Sequence, residues 1–392
     1  MQTTETLTKH QEQTIVNDSS SLRSQAKLKI ALVGGSNSAM RSGYSKYLQE
    51  YLREQTDKNI ELSYFAVGGV TNLFGSIQGY RYQIAKNHDI IFFEYCINDR
   101  KAIGDQKSTP RMAGMALEGF IRHAQSLNPN CIIIILIFGT NQSKYYNNGC
   151  HVSATYEYVA RRYDIPVINI TEILLKQQDI NFIKKLYDDE DHAHYARPKG
   201  TKIVAKFISQ QIYQRNLLNS LPTSKKKYRM YNGNLQNLKF YSNFDVQINQ
   251  NALEKSIFKN SLFEEEIYTL NRNSYLRFNF KGRLLGIVLK SDWYDGLFKI
   301  KLGDHELVTS SFSKHLKNKE AHNINLLSLP FKKSMACRDF KELSISICKE
   351  NIKNYELDYA KTKPMVSPEQ WKLSIIGIAY TGEIKPITSN IT

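Results

Sequence analysis

The chain has 392 residues, of which 41% are hydrophobic and 23% are charged, and its formal net charge is +16. This length exceeds what one hydrophobic core usually organises, and the composition excludes wholesale disorder. No run of about 18 apolar residues occurs, so a transmembrane helix is not expected. The five cysteines form an odd set without a C-x-x-C pair, which argues against a disulfide framework or a zinc site and for a reducing compartment.

The first 26 residues are polar and lack the apolar core of a secretory signal. We therefore expect residues 1–26 to form a disordered tail and the protein to be cytoplasmic. The positive charge would suit an anionic carbohydrate or peripheral association with an acidic membrane, although a surface that merely favours solubility explains it equally well. Nucleic acid is not an expected partner, because the basic residues are spread along the chain and no nucleic-acid motif accompanies them.

Strand-like and helix-like segments alternate over residues 27–218. Continuous apolar runs that alternate with helices are typical of a parallel sheet covered on both faces. The predicted domain is therefore a three-layer α/β/α, flavodoxin-like fold with a five-stranded parallel sheet. Its predicted strands are 27–33, 60–67, 89–96, 131–138 and 166–170. Its predicted helices are 42–55, 73–86, 111–127, 153–163 and 197–215, the last with Pro198 in its first turn.

The pattern changes after a polar, basic segment, residues 219–236, which we interpret as a linker. From 237 to 392 short alternating runs separated by turn residues predict an antiparallel β-sandwich, jelly-roll-like in form. The clearest predicted strands are 275–280, 284–289, 297–302, 323–329, 343–348 and 371–380. The turn residues between them include Gly282, Asp295-Gly296 and Gly303-Asp304.

Polar residues follow three strands of the predicted parallel sheet, where ligand sites of such sheets lie. Ser36 follows Gly34-Gly35 on a tight turn into a helix, which suits an exposed nucleophile; a serine there can equally be a simple helix cap. The second strand is followed by Gly69 and the third by Asn98. A glycine N–H and an asparagine amide are donors of the kind that an oxyanion hole requires.

A histidine and its carboxylate partner are available just before the last predicted helix. Asp191 and His194 have the D-x-x-H spacing, and Asp189 and His192 have it too. A histidine so paired can activate a serine. The acidic and histidine residues here could instead bind a metal, or simply form a solvated loop; we expect no metal. The residues concerned are Asp188, Asp189, Asp191, His192 and His194.

Together these four blocks resemble the SGNH/GDSL hydrolase family, over about residues 27–215. The resemblance implies that Ser36 is the nucleophile, His194 the base and Asp191 its partner. It also implies an oxyanion hole made by the N–H groups of Ser36 and Gly69 and by the Asn98 side chain. The sequence departs from the family pattern at three positions: Gly35 replaces an aspartate, Cys96 a glycine and Tyr195 a proline.

Through its Gly34–Ser38 block, its Glu94–Arg100 block and its appended sandwich, the chain loosely resembles the polysaccharide-associated branch of the family, which implies acetyl ester chemistry on a carbohydrate. We expect an O-acetyltransferase that modifies a bacterial surface polysaccharide such as a capsule, with no bound cofactor and with acetyl-CoA as acetyl donor. A carbohydrate acetylesterase is the alternative. A third reading is a non-catalytic glycan-binding protein, in which Trp293, Tyr294 and Trp371 of the sandwich stack on sugar rings; these aromatics could also be part of its core.

Overall fold

The structure is a computed structural model, and it describes residues 27–56, 58–105, 107–142, 150–188, 190–219, 228–232, 235–244, 253–260, 262–312, 316, 318–329, 335–349, 364–385 and 387. The predicted tail, residues 1–26, lies outside this set. So does much of the predicted linker, including residues 220–227. Among the described residues, no helix has the length and apolar character needed to cross a membrane.

The first half of the chain forms the predicted five-stranded parallel sheet, in the order β2-β1-β3-β4-β5. Its strands are β1 (Lys27–Gly34), β2 (Asn59–Tyr64), β3 (Ile90–Glu94), β4 (Ile132–Ile137) and β5 (Val167–Asn169). Because neighbouring strands are parallel and buried, their carboxyl ends meet at one edge. The blocks singled out in the sequence are thereby brought to that edge.

Helices cover both faces of this sheet. They are α1 (Ser36–Ala39), α2 (Tyr44–Thr56), α3 (Asn72–Arg81), α4 (Ile84–Asn87), α5 (Cys96–Gly104), α6 (Pro110–Leu127), α7 (His151–Arg162), α8 (Ile170–Gln177), α9 (Ile180–Lys184) and α10 (Lys199–Gln214). Short 3₁₀ helices cover Leu217–Asn219, Leu235–Asn237 and Pro368–Gln370.

Alternate side chains of the buried strands divide between the two helix layers. On β1, Ile30 and Leu32 pack with α2 and α10, whereas Ala31 and Val33 pack with α3, α6 and α7. This alternation is the reason why a strand buried on both faces appears as a continuous apolar run in the sequence. The three-layer α/β/α prediction is confirmed.

Several predicted helix boundaries differ from the structure. The segment predicted as one helix over 73–86 forms α3 and α4, separated at Gln83, whose φ of 46° interrupts the helix. Helix α5 was not predicted, because it begins inside an apolar segment that resembles the end of a strand. Pro198 lies at the N-cap of α10 and not in its first turn.

The second half forms an antiparallel nine-stranded sheet that encloses its own core, consistent with the predicted β-sandwich. The strands are β6 (Lys239–Tyr241), β7 (Leu253–Lys259), β8 (Glu264–Leu270), β9 (Tyr275–Ser291), β10 (Leu297–Leu302), β11 (His305–Ser310), β12 (Asn323–Ser328), β13 (Ala336–Ile347) and β14 (Leu373–Lys385). The path β11-β10-β13-β9-β14-β8-β7 is joined by β12 on β9 and by β6 on β14.

Gly282 lies within a continuous strand, which corrects the prediction that it separates two strands. It lies inside β9 with a φ of 129°, opposite Gly382 of β14, whose φ is 112°. A side chain at Gly282 would meet the carbonyl oxygen of Thr381. The paired glycines therefore let two long strands bend together without ending.

The two halves share a continuous apolar interface. Side chains on the outer face of the sandwich, including Phe263, Leu285 and Val288, belong to the same buried cluster as Phe74 of α3 and Phe120 of α6. Burial of apolar surface is the dominant favourable term in such association. The sandwich is therefore packed against the helix layer that contains α3.

Candidate active site

The turn that carries Ser36 is fixed to the neighbouring strand by a backbone hydrogen bond. The N–H of Gly35 donates to the carbonyl oxygen of Glu94, over 2.8 Å. A side chain at Gly34 would lie 2.5 Å from the Ser38 hydroxyl, so glycine is required where the turn passes the strand. Ser36 begins α1 and remains half-buried, accessible to a substrate.

Ser36, His194 and Asp191 form one unbroken chain of hydrogen bonds. The Ser36 Oγ lies 2.6 Å from His194 Nε2, and His194 Nδ1 lies 2.5 Å from Asp191 Oδ2. The two ring nitrogens of the imidazole therefore face one oxygen each. This is the arrangement in which an imidazole can accept a serine proton while a carboxylate holds the ring in the required tautomer.

Backbone contacts hold the Asp191 carboxylate in place. Its Oδ1 accepts the N–H groups of Ala193 at 2.9 Å and His194 at 3.1 Å. Partial burial acts to raise the pKa of Asp191, but these donors and the His194 imidazole outweigh it and hold that pKa below its ordinary value. The Asn37 amide donates to the carbonyl oxygen of Ala193 over 3.0 Å, which links this loop to the helix that begins at Ser36.

The geometry distinguishes the two D-x-x-H registers. His194 reaches Ser36, whereas the His192 side chain is exposed and its carbonyl oxygen accepts the N–H of Asn141. Asp189, the partner in the alternative register, lies outside the described residues. Within the described part of the chain, no group of three or more His, Cys, Asp and Glu side chains is arranged to hold a metal ion.

The asparagine and glycine blocks lie on either side of Ser36. The Asn98 side chain packs against Gly35, where a Cβ would come within 2.3 Å of its Oδ1. The departure from the family pattern at position 35 thus provides the space that Asn98 occupies. A Cβ on Gly68 would approach the Ser36 Cβ to 3.3 Å, and Gly69 has a φ of 80° with open space beside it. Gly68 therefore borders Ser36, with Gly69 next in the chain, and the Asn98 side chain borders the glycine that precedes Ser36.

Asp99 connects these two blocks, a role that the sequence analysis did not identify. Its Oδ1 accepts the N–H of Asn72, the first residue of α3, at 2.9 Å, and its Oδ2 accepts the Tyr156 hydroxyl at 2.6 Å. The carboxyl is fully buried, and burial raises the pKa of Asp99 to about 7. Its position directly after Asn98 was visible in the sequence, but its partners are brought near it only by the fold.

A second buried carboxyl supports the serine turn. Glu94 Oε2 accepts the Ser38 hydroxyl at 2.9 Å, and Ser38 in turn contacts the Tyr44 hydroxyl at 3.0 Å. Burial raises the pKa of Glu94 to about 8. This role could not be predicted from the sequence, because a glutamate in an apolar run gives no indication of its partner.

Trp293 and Tyr294 lie in the turn between β9 and β10. Trp371, the third aromatic proposed to bind sugar, is only 2% exposed and donates its indole N–H to the carbonyl oxygen of Val366, so it belongs to the core of the sandwich. Trp293 is half-buried against the ring of Phe312, and Tyr294 is 37% exposed. Their role in binding stays a prediction.

No protein family model and no curated protein matches this chain. Solved structures do match it. A two-domain esterase (CEX) active on acetylated mannans, co-crystallised with mannopentaose, is 12% identical, with 92% of each chain covered and a TM-score of 0.63. A second structure of a two-domain esterase of this description is 13% identical, covers 92% of this chain and 93% of its own, and has a TM-score of 0.60. An acetyl xylan esterase, 18% identical, covers 47% of this chain and 100% of its own, with a TM-score of 0.40.

The likeness to the two-domain esterases extends over both halves of the chain. At the level of the fold, it agrees with the predicted arrangement of an α/β/α domain followed by a β-domain. At identities of 12% and 13% it identifies the architecture, and the chemistry must be argued from the residues of this chain.

Proposed function

We propose that this protein is a serine-dependent esterase that removes acetyl groups from an acetylated carbohydrate. The observation that carries the proposal is the continuous hydrogen-bonded chain from Asp191 through His194 to Ser36. A serine hydroxyl needs an adjacent, oriented base to become a useful nucleophile. All three groups lie at the carboxyl edge of the parallel sheet, where substrates of such folds bind.

In the acylation step, His194 Nε2 accepts the Ser36 proton while Ser36 Oγ attacks the acetyl carbonyl carbon. The resulting oxyanion is stabilised by the N–H of Gly69 and the side-chain amide of Asn98. When the tetrahedral intermediate collapses, the bond from the acetyl carbon to the sugar oxygen breaks. The sugar hydroxyl leaves with the proton from His194, and the acetyl group remains on Ser36.

In the deacylation step, a water molecule attacks the acetyl-Ser36 ester. His194 accepts a proton from this water, and the second tetrahedral intermediate releases acetate as the proton returns to Ser36 Oγ. Asp191 stabilises the imidazolium in both steps and is not itself protonated. Its lowered pKa keeps it ionised at neutral pH.

The similar two-domain structures favour hydrolysis over transfer. A protein of this architecture is active on acetylated mannans, which supports the esterase alternative better than the O-acetyltransferase that the sequence analysis preferred. A transferase would use the same acetyl-Ser36 and a sugar hydroxyl in place of water, with acetyl-CoA as one donor. That reading was based on the expected location inside the cell and on the positive charge, and not on the catalytic residues.

The test uses p-nitrophenyl acetate and acetylated mannan with the wild-type protein and Ser36→Ala. We expect Ser36→Ala to lower kcat by about 10⁴-fold or more. Ser42→Ala is the matched control, because the exposed Ser42 lies six residues away and outside the hydrogen-bonded chain; it should keep wild-type activity.

The products separate the remaining alternatives. Free acetate from acetylated mannan supports the esterase, whereas acetylated oligosaccharide formed when an acceptor is added identifies a transferase. Equal activity of wild type and Ser36→Ala would contradict the serine mechanism, and a protein that binds mannan without releasing acetate would be a glycan-binding module.

A further inference from the structure

Helix α3 lies in the first half of the chain and also contacts the sandwich. It begins directly after Gly69-Val70-Thr71, the block that borders Ser36, and it ends at Arg81. At ten residues it is a rigid rod of about 15 Å. Both ends of this helix contact the sandwich through polar groups, and Phe74, in its first turn, contacts the sandwich through its aromatic ring.

The C-terminal end of α3 is held by a buried ion pair. Arg81 Nη1 and Nη2 donate to the two carboxylate oxygens of Glu265 on β8, over 2.9 and 2.7 Å. The Arg81 side chain is 15% exposed and that of Glu265 is 5% exposed. The guanidinium also stacks on the Phe240 ring, and the Tyr82 hydroxyl donates to the same carboxylate over 3.1 Å. Bidentate pairing fixes orientation as well as distance.

The N-terminal end of α3 is held by two different contacts. The Thr71 hydroxyl lies 3.3 Å from the hydroxyl of Ser328, the last residue of β12. On the opposite side, the N–H of Asn72 donates to Asp99. In the first turn of α3, the rings of Phe74 and Phe263 form a T-shaped pair with their centroids 6.5 Å apart. The sandwich thus fixes the position of α3 against the block that follows β3.

We propose that the sandwich positions the oxyanion hole by holding α3, and that Glu265 and Ser328 are the positioning residues. The inference rests on the proposed function, because it requires the Gly69 N–H to stabilise the oxyanion. A backbone N–H cannot be re-aimed by a change of rotamer, so its position depends on the element that follows it. Displacement of a catalytic group by about 1 Å can cost about 100-fold in rate.

The inference differs from the idea that the sandwich only binds glycan. A glycan-binding domain would affect the affinity for a polymer and leave a small ester unaffected. A positioning domain affects the chemical step for every ester. p-Nitrophenyl acetate therefore distinguishes the two roles, because it is too small to need contacts with the sandwich.

The experiment compares Glu265→Gln and Ser328→Ala with the wild type. It measures kcat and KM for p-nitrophenyl acetate, with kcat expressed per active serine titrated by an organophosphonate. We expect kcat to fall about tenfold in Glu265→Gln and about threefold in Ser328→Ala, with KM within about twofold. Titration separates reduced catalytic power from a smaller folded fraction.

Glu264→Gln is the matched control. Glu264 is the neighbouring residue on β8 and also forms an ion pair, with Lys259 Nζ at 2.6 Å, but its side chain is 58% exposed. Exposed pairs contribute little, so this variant should retain wild-type kcat. Loss of activity in Glu264→Gln equal to that in Glu265→Gln would overturn the inference, because the effect would then be general to the strand.

The positioning role of the sandwich and the esterase function can fail independently. If Ser36→Ala is inactive but Glu265→Gln and Ser328→Ala keep wild-type kcat per titrated serine, the positioning role is wrong and the esterase proposal stands. A raised KM for acetylated mannan with unchanged kinetics on p-nitrophenyl acetate would instead identify a glycan-contacting domain. If Ser36→Ala is active, both proposals fail. Should Glu265→Gln not fold, Ser328→Ala decides.

Discussion

The two sides of the candidate active site are built in different ways. The base side is local: Asp191 and His194 lie three residues apart, their side chains are 42% and 30% exposed, and one bond joins them to Ser36. The proposed oxyanion side consists of Gly69 and Asn98, which lie in separate blocks. These blocks are joined through a fully buried carboxyl, and the glycine block is followed by a helix that the sandwich holds.

This difference has a physical reason. A side-chain base can rotate into place, so a short loop at the surface is sufficient to orient it. A backbone N–H is fixed by the chain around it, so precise placement requires a rigid framework. The aspartates show the same contrast: the pKa of Asp191 is lowered by backbone N–H donors and an imidazole despite partial burial, whereas burial raises the pKa of Asp99 to about 7.

The largest effect of a substitution beside the nucleophile is expected at the base side. Asp191→Asn preserves the shape of the side chain but can no longer hold the His194 tautomer or stabilise the imidazolium. We expect kcat for p-nitrophenyl acetate to fall by about 10³- to 10⁴-fold. Asp188→Asn, at an exposed carboxyl three residues upstream, should be unaffected. Wild-type activity in Asp191→Asn would show that His194 does not depend on this partner.

The second-largest fall in kcat is expected for a substitution on the oxyanion side. Asn98→Ala removes one donor beside Ser36 and should lower kcat by about 100- to 1,000-fold, with little change in KM. Steady-state kinetics on p-nitrophenyl acetate measure kcat and KM separately. Asn141→Ala serves as the control, because Asn141 contacts this region through its backbone N–H. If Asn98→Ala instead raises KM alone, Asn98 binds the ground state and the assignment of the hole is wrong.

The connection between the two oxyanion blocks is expected to have a smaller effect. The Asn72 N–H and the Tyr156 hydroxyl each donate to one Asp99 oxygen, and Asp99→Asn replaces one of these two acceptors by an amide nitrogen that cannot accept. We expect kcat to fall about tenfold while KM stays within about twofold. Asp105→Asn, just beyond the end of α5, is the control. A change in KM without a change in kcat would place Asp99 outside the framework of the hole.

Much of the first half could be predicted from the sequence, because its strands are buried on both faces and its polar residues follow them directly. Ser36, His194, Asp191 and Asn98 were predicted in this way; the structure joins the first three by hydrogen bonds and places the Asn98 side chain beside Gly35. Helix α5 was not predicted, since its first turn continues an apolar run. Asp99 and Glu94 were not recognised as supports, since a carboxyl in a sequence does not indicate which distant hydroxyl or N–H it will meet.

Less of the sandwich could be predicted. Its strands were recognised from alternation, but strand pairing depends on contacts between distant segments. Gly282 was predicted to be a turn because glycine is typical of turns, whereas it pairs with Gly382, 100 residues later in the chain. The ion pair between Arg81 and Glu265 joins residues 184 positions apart. Neither contact leaves a local pattern that periodicity or turn chemistry could detect.

The smallest expected effect on activity is that of Glu94, which supports the serine turn and should affect the stability of the protein more than its catalysis. Burial raises the pKa of Glu94 from 4.5 to about 8, with Tyr44 and Asp99 as its acidic neighbours. A carboxyl whose folded pKa is raised binds more protons in the folded state between these two values. Its stabilising contribution is therefore complete below about pH 4.5 and is lost as the pH rises to about 8.

Glu94→Gln removes this titration while its amide oxygen can still accept the Ser38 hydroxyl. The melting temperature of Glu94→Gln minus that of the wild type should be about 5 °C larger at pH 9 than at pH 5. Thermal unfolding followed by circular dichroism at both pH values measures this, with Glu172→Gln at an exposed carboxyl as control. Because Glu94 touches no reacting atom, kcat should change less than about threefold. A pH-independent difference in melting temperature would mean that Glu94 is ionised in the folded protein and that the serine turn is held by charge, as Asp191 holds the base.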